Sequence, residues 1–112
     1  MLKRISASIS STFMSCFVEI NTEFVDKNSL VKALKSLGFR PEKASAVRGF
    51  AESHTPVEFR FRPVPDSYQV GFRKQGERYV CVADWFGVRG IQLQRFLETL
   101  TQEYCRVDVG RL

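Results

Sequence analysis

Hydrophobic and polar positions recur with a definite period along most of this chain, and the period switches at turn-forming residues. Cys16, Val18 and Ile20 alternate with Phe17, Glu19 and Asn21, which predicts a half-buried first strand. Leu30, Val31, Leu34 and Leu37 then repeat at helical spacing, behind Asp26 or Asn28 as the capping residue. Gly38 is placed to end this helix in the left-handed conformation, with Phe39 packing back on the last turn while Lys32, Lys35 and Ser36 face water. Residues 44–50, ASAVRGF, read as a second strand ending at Gly49, and AESHTP reads as the loop that follows. From Val57 to Arg62 the alternation is strict, with Val57, Phe59 and Phe61 on one side and Glu58, Arg60 and Arg62 on the other. Pro63 and Pro65 close that strand because neither can donate to a ladder. Tyr68, Val70 and Phe72 begin the next apolar face. Lys74-Gln75-Gly76-Glu77 makes a tight hairpin, with Gly76 free to take positive φ, and the last strand runs from Arg78 to Asp84.

The segment from Tyr79 to Tyr104 is the most informative: a strand, a Trp-Phe-Gly turn, then an amphipathic helix starting near Ile91. Leu93, Phe96, Leu97, Leu100 and Tyr104 form its apolar stripe, opposite Gln94, Arg95, Glu98 and Gln102. The tail RVDVGRL is expected to hold a short extended piece or to fray. Strand, helix, four strands and helix predict an α+β fold: a mainly antiparallel sheet of about five strands with two helices packed on one face. Residues 14–112 form a single domain, and residues 1–13, MLKRISASISSTF, a disordered or targeting-like extension.

Composition changes this picture only modestly. Ten phenylalanines against one Trp and three Tyr indicate an aromatic filling between sheet and helices. Of the net charge of +5, Lys3 and Arg4 belong to the extension; from Met14 onward fifteen basic residues face twelve acidic ones. That balance permits a nucleic-acid partner without pointing to one. Cys16, Cys81 and Cys105 are widely spaced without a CxxC pair and read as reduced, buried thiols. No apolar run reaches the ~18 residues of a membrane-spanning helix, so no membrane insertion is expected.

No catalytic constellation emerges, and neither a cofactor nor a metal site is expected. His54 is the single histidine and stands in a polar loop. Gly87 and Gly90 flank Val88-Arg89 before the last helix, but a Walker lysine and a dinucleotide fingerprint are missing, so turn geometry explains them better than phosphate binding. Asp84, Trp85 and Phe86 are the candidate partner-binding residues, since aromatics at the point where the chain leaves a sheet can anchor a partner; the competing reading has them cover the sheet end, with Asp84 bonding the turn's donors. Arg60, Arg62 and Arg73 are the candidate nucleic-acid-binding residues on a basic outer sheet face, joined by Arg48 and Arg78. Against that, sheet-type RNA binders expose aromatics, whereas Phe59, Phe61, Tyr68 and Phe72 are expected to turn inward.

The runs MSCFVEINTEFVDKNSLVKALKSLGF, VRGF, SYQVGFRKQGERYVCVADW and LQRFLETLTQEY resemble, in order and spacing, a conserved hypothetical reading-frame family, the thirty-fifth of the plastid series, from algal chloroplasts and cyanobacteria. Met14, Ser15, Phe17, Leu37, Gly38, Arg48, Gly49, Gly71, Phe72, Gly76, Tyr79, Val82, Ala83, Asp84, Arg95, Phe96 and Leu97 carry it. Cys16 stands where the family usually has His, and the further helix and strand usual after the last helix are almost wholly lacking here. The resemblance implies a family without established activity, in a cyanobacterium, a related bacterium or phage host, or the plastid stroma. The expected function is that of a non-enzymatic accessory module for an unknown protein partner that completes an open sheet edge after Tyr104. RNA or single-stranded nucleic-acid binding through the basic sheet face is the alternative.

Overall fold

The structure, a computed structural model, describes residues 7–12, 15–50 and 53–109. Its strands are β1 (Ala7–Thr12), β2 (Ser15–Asn21), β3 (Glu42–Lys43), β4 (Ala46–Arg48), β5 (His54–Pro56), β6 (Phe59–Phe61), β7 (Val70–Gln75) and β8 (Arg78–Ala83). The helices are α1 (Lys27–Ser36) and α2 (Leu93–Val109), and a 3-10 turn covers Trp85–Gly87. Six strands form one antiparallel sheet in the order β1-β2-β8-β7-β6-β3, and β4 pairs with β5 in a separate two-stranded sheet. The α+β architecture read from the sequence is therefore the one observed.

Both helices lie on one face of the sheet. There Ile20 of β2, Phe59 and Phe61 of β6, Val70 and Phe72 of β7 and Tyr79 and Cys81 of β8 meet Leu30, Ala33 and Leu34 of α1 and Phe96, Leu97 and Leu100 of α2. Tilted aromatic pairs tie the layers together, among them Phe39–Phe61 at 4.6 Å and Phe61–Phe96 at 5.6 Å between ring centres. α1 begins as its sequence requires, with the Asp26 carboxylate accepting from Ser29 N–H at 2.8 Å. It ends with Gly38 at φ 95°, the Gly38 and Phe39 amides donating to Lys35 and Leu34 carbonyls, and Phe39 folded onto the core. The Tyr104 hydroxyl of α2 accepts from the Val25 and Asp26 amides, which fixes α2 against the start of α1.

The opposite face is covered too. Phe17, Val80 and Val82 pack there against Val47 of β4 and Val57, forming a second small core. The β4–β5 hairpin is thus a lid on the outer sheet face, and Gly71 leaves the room it needs: a Cβ there would stand 2.5 Å from Val57 and 2.7 Å from Val47.

Several expectations change. Within the extension expected at 1–13, residues 7–12 are an antiparallel strand on β2; residues 1–6 and 13 lie outside the described residues. The second strand is confined to Ala46–Arg48 and belongs to the lid rather than the main sheet, and His54–Pro56 of the expected loop is its partner strand. The tail does not fray or extend through Val109. It continues α2, where the Ser29 hydroxyl donates to Asp108 at 2.9 Å, a tertiary contact that overrides the weak helix preference of Val107 and Asp108. Cys81 is buried, and burial pushes its thiol pKa up, but Cys105 is exposed on α2 rather than buried. The last strand, β8, is paired on both sides by β2 and β7, so the edges of the described sheet are β1 and β3 instead.

Candidate functional site

Where β8 leaves the sheet, its last turn is organised by one carboxylate. Asp84 is 1 % exposed. One oxygen accepts from Phe86 N–H at 3.3 Å, capping the Trp85–Gly87 turn, and the other accepts from Phe50 N–H at 3.0 Å at the tip of the lid hairpin. The turn closes on itself through Gly87 N–H to the Asp84 carbonyl and Val88 N–H to the Trp85 carbonyl. On the hairpin side, Gly49 N–H donates to Ser53 and Ser53 N–H back to Phe50. Gly49 is required by close approach: a Cβ would lie 2.7 Å from the Phe17 ring and 2.9 Å from the Asp84 carboxylate.

The two amides held by Asp84 belong to the two exposed phenylalanines of this region. Phe86 is 85 % exposed and Phe50 37 %. Two backbone segments far apart in sequence are thereby brought within the span of one carboxylate, each presenting a phenyl ring to solvent. Trp85 behaves differently: it is half-buried and packs against the main core, and its indole N–H is buried with no hydrogen-bond partner among the described residues. Of the three candidate partner-binding residues, then, Phe86 is presented to solvent, while Asp84 and Trp85 face inward. Trp85 packs against the main core, and the Asp84 carboxylate is enclosed by the amides it accepts from. Phe50 was missed in the sequence because it ended an expected strand; its place in the VRGF run, beside a glycine, was the available signal.

Exposed basic side chains stand near the two phenylalanines along the chain. Arg48 and His54 are directly paired across β4 and β5, both exposed, and Arg89 is exposed after the Trp85–Gly87 turn. Among the described residues, no ion pair engages any of the three. Asp84, Arg48 and His54 are three titratable side chains of this region. They are neighbours, but the carboxylate points inward to backbone amides while the two bases point to solvent.

The arginines expected to form a nucleic-acid face have other partners. Arg60 pairs with Glu42 at 3.0 Å and donates to the Ala46 carbonyl of β4 at 2.8 Å. Arg73 pairs with Glu19 and donates to the Pro56 carbonyl of β5 at 3.3 Å. Both therefore bolt the lid hairpin to the sheet. Arg62 is exposed, with a long 3.5 Å contact to the Pro65 carbonyl, and Arg78 pairs with Glu23 at 3.1 Å.

The turn before α2 is likewise occupied. Arg89 N–H donates to the Ser67 hydroxyl at 2.8 Å, and Gly87 lies flush on the Tyr68 ring, where a Cβ would come within 2.3 Å. Gln92 caps α2, its side chain accepting from Arg95 N–H at 3.0 Å. These bonds use donors that an anion would need. No group of His, Cys, Asp or Glu able to hold a metal occurs among the described residues. Nor, among them, is any helix long and apolar enough to cross a membrane.

No curated protein and no solved structure matches the chain. The family model described as "Protein of unknown function (DUF1257)" matches residues 33–110, a span that includes the lid hairpin, Asp84, the Trp85–Gly87 turn and all of α2. The chain belongs to this family of proteins of unknown function.

Proposed function

We propose that this protein is a non-enzymatic interaction module that docks on a protein partner through Phe86 and Phe50. The observation that carries the reading is the 85 % exposure of Phe86 on a turn whose backbone is fixed by Asp84. A large apolar ring in water on a fixed backbone makes contact area available at little ordering cost, which is what interface anchors supply. The sequence-level candidates Asp84 and Trp85 then act from beneath, as positioning residues. The alternative, nucleic-acid binding through Arg60, Arg62 and Arg73, has less support, because Arg60 and Arg73 are engaged in ion pairs and in holding the lid. The compartment we propose is the cytoplasm of a cyanobacterium, a related bacterium or phage host, or the plastid stroma. It is supported by the resemblance of residues 14–105 to a plastid reading-frame family.

Phe86→Asp tests the reading. The variant should melt like the parent, because the ring contributes little buried area. Affinity capture from native cells should lose the proteins that co-purify with the parent. Retention of the same proteins at the same yield would refute the docking role of this turn.

A further inference from the structure

We infer that the surface centred on Phe50 and Phe86 accepts an acidic segment of a protein partner, with an apolar side chain inserted between flanking carboxylates. This rests on the docking reading above and adds the chemistry of the occupant. Two observations carry it together. The first is the pair of exposed rings brought together by the two oxygens of Asp84. The second is the charge near them along the chain: Arg48 lies two residues before Phe50, across from His54, and Arg89 lies three residues after Phe86. Both arginine side chains are exposed, and no described ion pair neutralises them.

Elsewhere on the described surface, Arg60 pairs with Glu42, Arg73 with Glu19, Arg78 with Glu23 and Arg106 with Glu103, while Arg40, Arg62 and Arg95 form no described ion pair. Arg48 and Arg89 differ from those three in standing within three residues of an exposed phenylalanine that Asp84 holds. Asp66 is the exposed acid on the neighbouring loop, next to Ser67, and it forms no described ion pair with Arg89. Arginine and phenylalanine are both enriched at the centre of protein interfaces. Two rings and two arginines suit a compact anchor with carboxylates on either side. A single strand of nucleic acid instead needs a basic groove that tracks successive phosphates, with rings stacked along it. Arg60 and Arg73, which such a groove along the sheet would use, are held by acids and by the lid carbonyls.

The test is selection of random short peptides displayed on phage against the purified full chain, followed by fluorescence anisotropy of the selected peptides. Labelled oligouridylate is measured in parallel. The expected result is enrichment of Asp and Glu around an aromatic or aliphatic residue. Phe86→Ala should then weaken binding about tenfold, and Arg48→Glu with Arg89→Glu should do so by a similar factor. Both arginines are exposed and lack described side-chain bonds, so the double variant should melt like the parent. Raising salt from about 50 mM to about 500 mM should also weaken binding markedly, as exposed charge pairs require. Peptides that depend on Phe86 but carry no acidic bias, or that ignore the arginine reversals, would overturn this inference and leave the docking reading standing. Failure to select any peptide sensitive to Phe86→Ala would overturn both. Oligouridylate binding that is lost in the same variants, without peptide binding, would replace both with a nucleic-acid surface.

Discussion

Removing the Asp84 carboxylate should do far more than its single position suggests. Asp84→Ala deletes an acceptor shared by two amides, at 3.0 Å from Phe50 and 3.3 Å from Phe86, in a site 1 % exposed. Hydrogen bonds to a charged acceptor contribute about 1.5–3 kcal/mol each. Part of that loss is offset, because the folded state no longer has to bury a carboxylate. A net destabilisation of about 3 kcal/mol is expected, and at this chain length each kcal/mol lowers Tm by about 4 °C or more. Thermal melting should therefore fall by roughly 12 °C. Asp84→Asn keeps one acceptor oxygen but turns its amide donors toward the other N–H, and should cost about half as much. The local signature is more specific than the melt: amide hydrogen exchange at Phe50 and Phe86 should accelerate together in Asp84→Ala, while amides in the centre of β7 and β8 follow only the global loss. A melting shift below about 3 °C, or unchanged exchange at both phenylalanines, would refute the idea that this carboxylate holds the two segments together.

Tyr79 provides a pH test. Burial, followed by the neighbouring Glu58 carboxylate and the hydrogen bond to it, pushes the phenol from its usual 10 up to about 12. The unfolded chain then releases this proton first, so stability should be full below about pH 10 and fall as pH rises toward 12. Tyr79→Phe should flatten that alkaline loss, and the difference in phenolate absorbance between parent and Tyr79→Phe should show Tyr79 ionising late; a difference that develops near pH 10 would contradict the burial. At Trp85, the buried N–H without a partner among the described residues predicts that Trp85→Phe is nearly neutral, within about 1 kcal/mol, because lost ring area is offset by removing that donor. Trp85→Ala should cost about 2–4 kcal/mol; equal costs for the two variants in urea unfolding would count against an unsatisfied indole.

The elements that local chemistry dictates were legible in the sequence. Asp26 as the cap, Gly38 with Phe39 as the terminator, and the Leu93–Leu100 stripe of α2 follow from rules that act within a few residues. The lid was not legible, because β4 and β5 are short strands made stable by tertiary partners: Val47 and Val57 against β8, and the carbonyls of Ala46 and Pro56 under Arg60 and Arg73. One signal for it was present. The run Tyr79-Val80-Cys81-Val82-Ala83 is apolar on both faces, as a strand covered on both sides requires, whereas β6 alternates and looked half-solvated. Reading β8 that way would have moved Arg60 and Arg73 from a solvent face to the margin of a packed layer. The candidate site was half legible. The Asp84-Trp85-Phe86 turn stood out by its residue types, but Phe50 reaches it only through the folded hairpin.

The central claim, that Phe86 is a docking residue poised by Asp84, is tested most directly by placing a photo-crosslinking phenylalanine analogue at position 86 and irradiating cells that express the protein at native level. A discrete protein adduct is predicted, absent when the analogue is placed at the exposed Gln102 of α2 and diminished when Asp84→Asn is combined with it. No adduct from position 86, or the same products from both positions, would contradict the account.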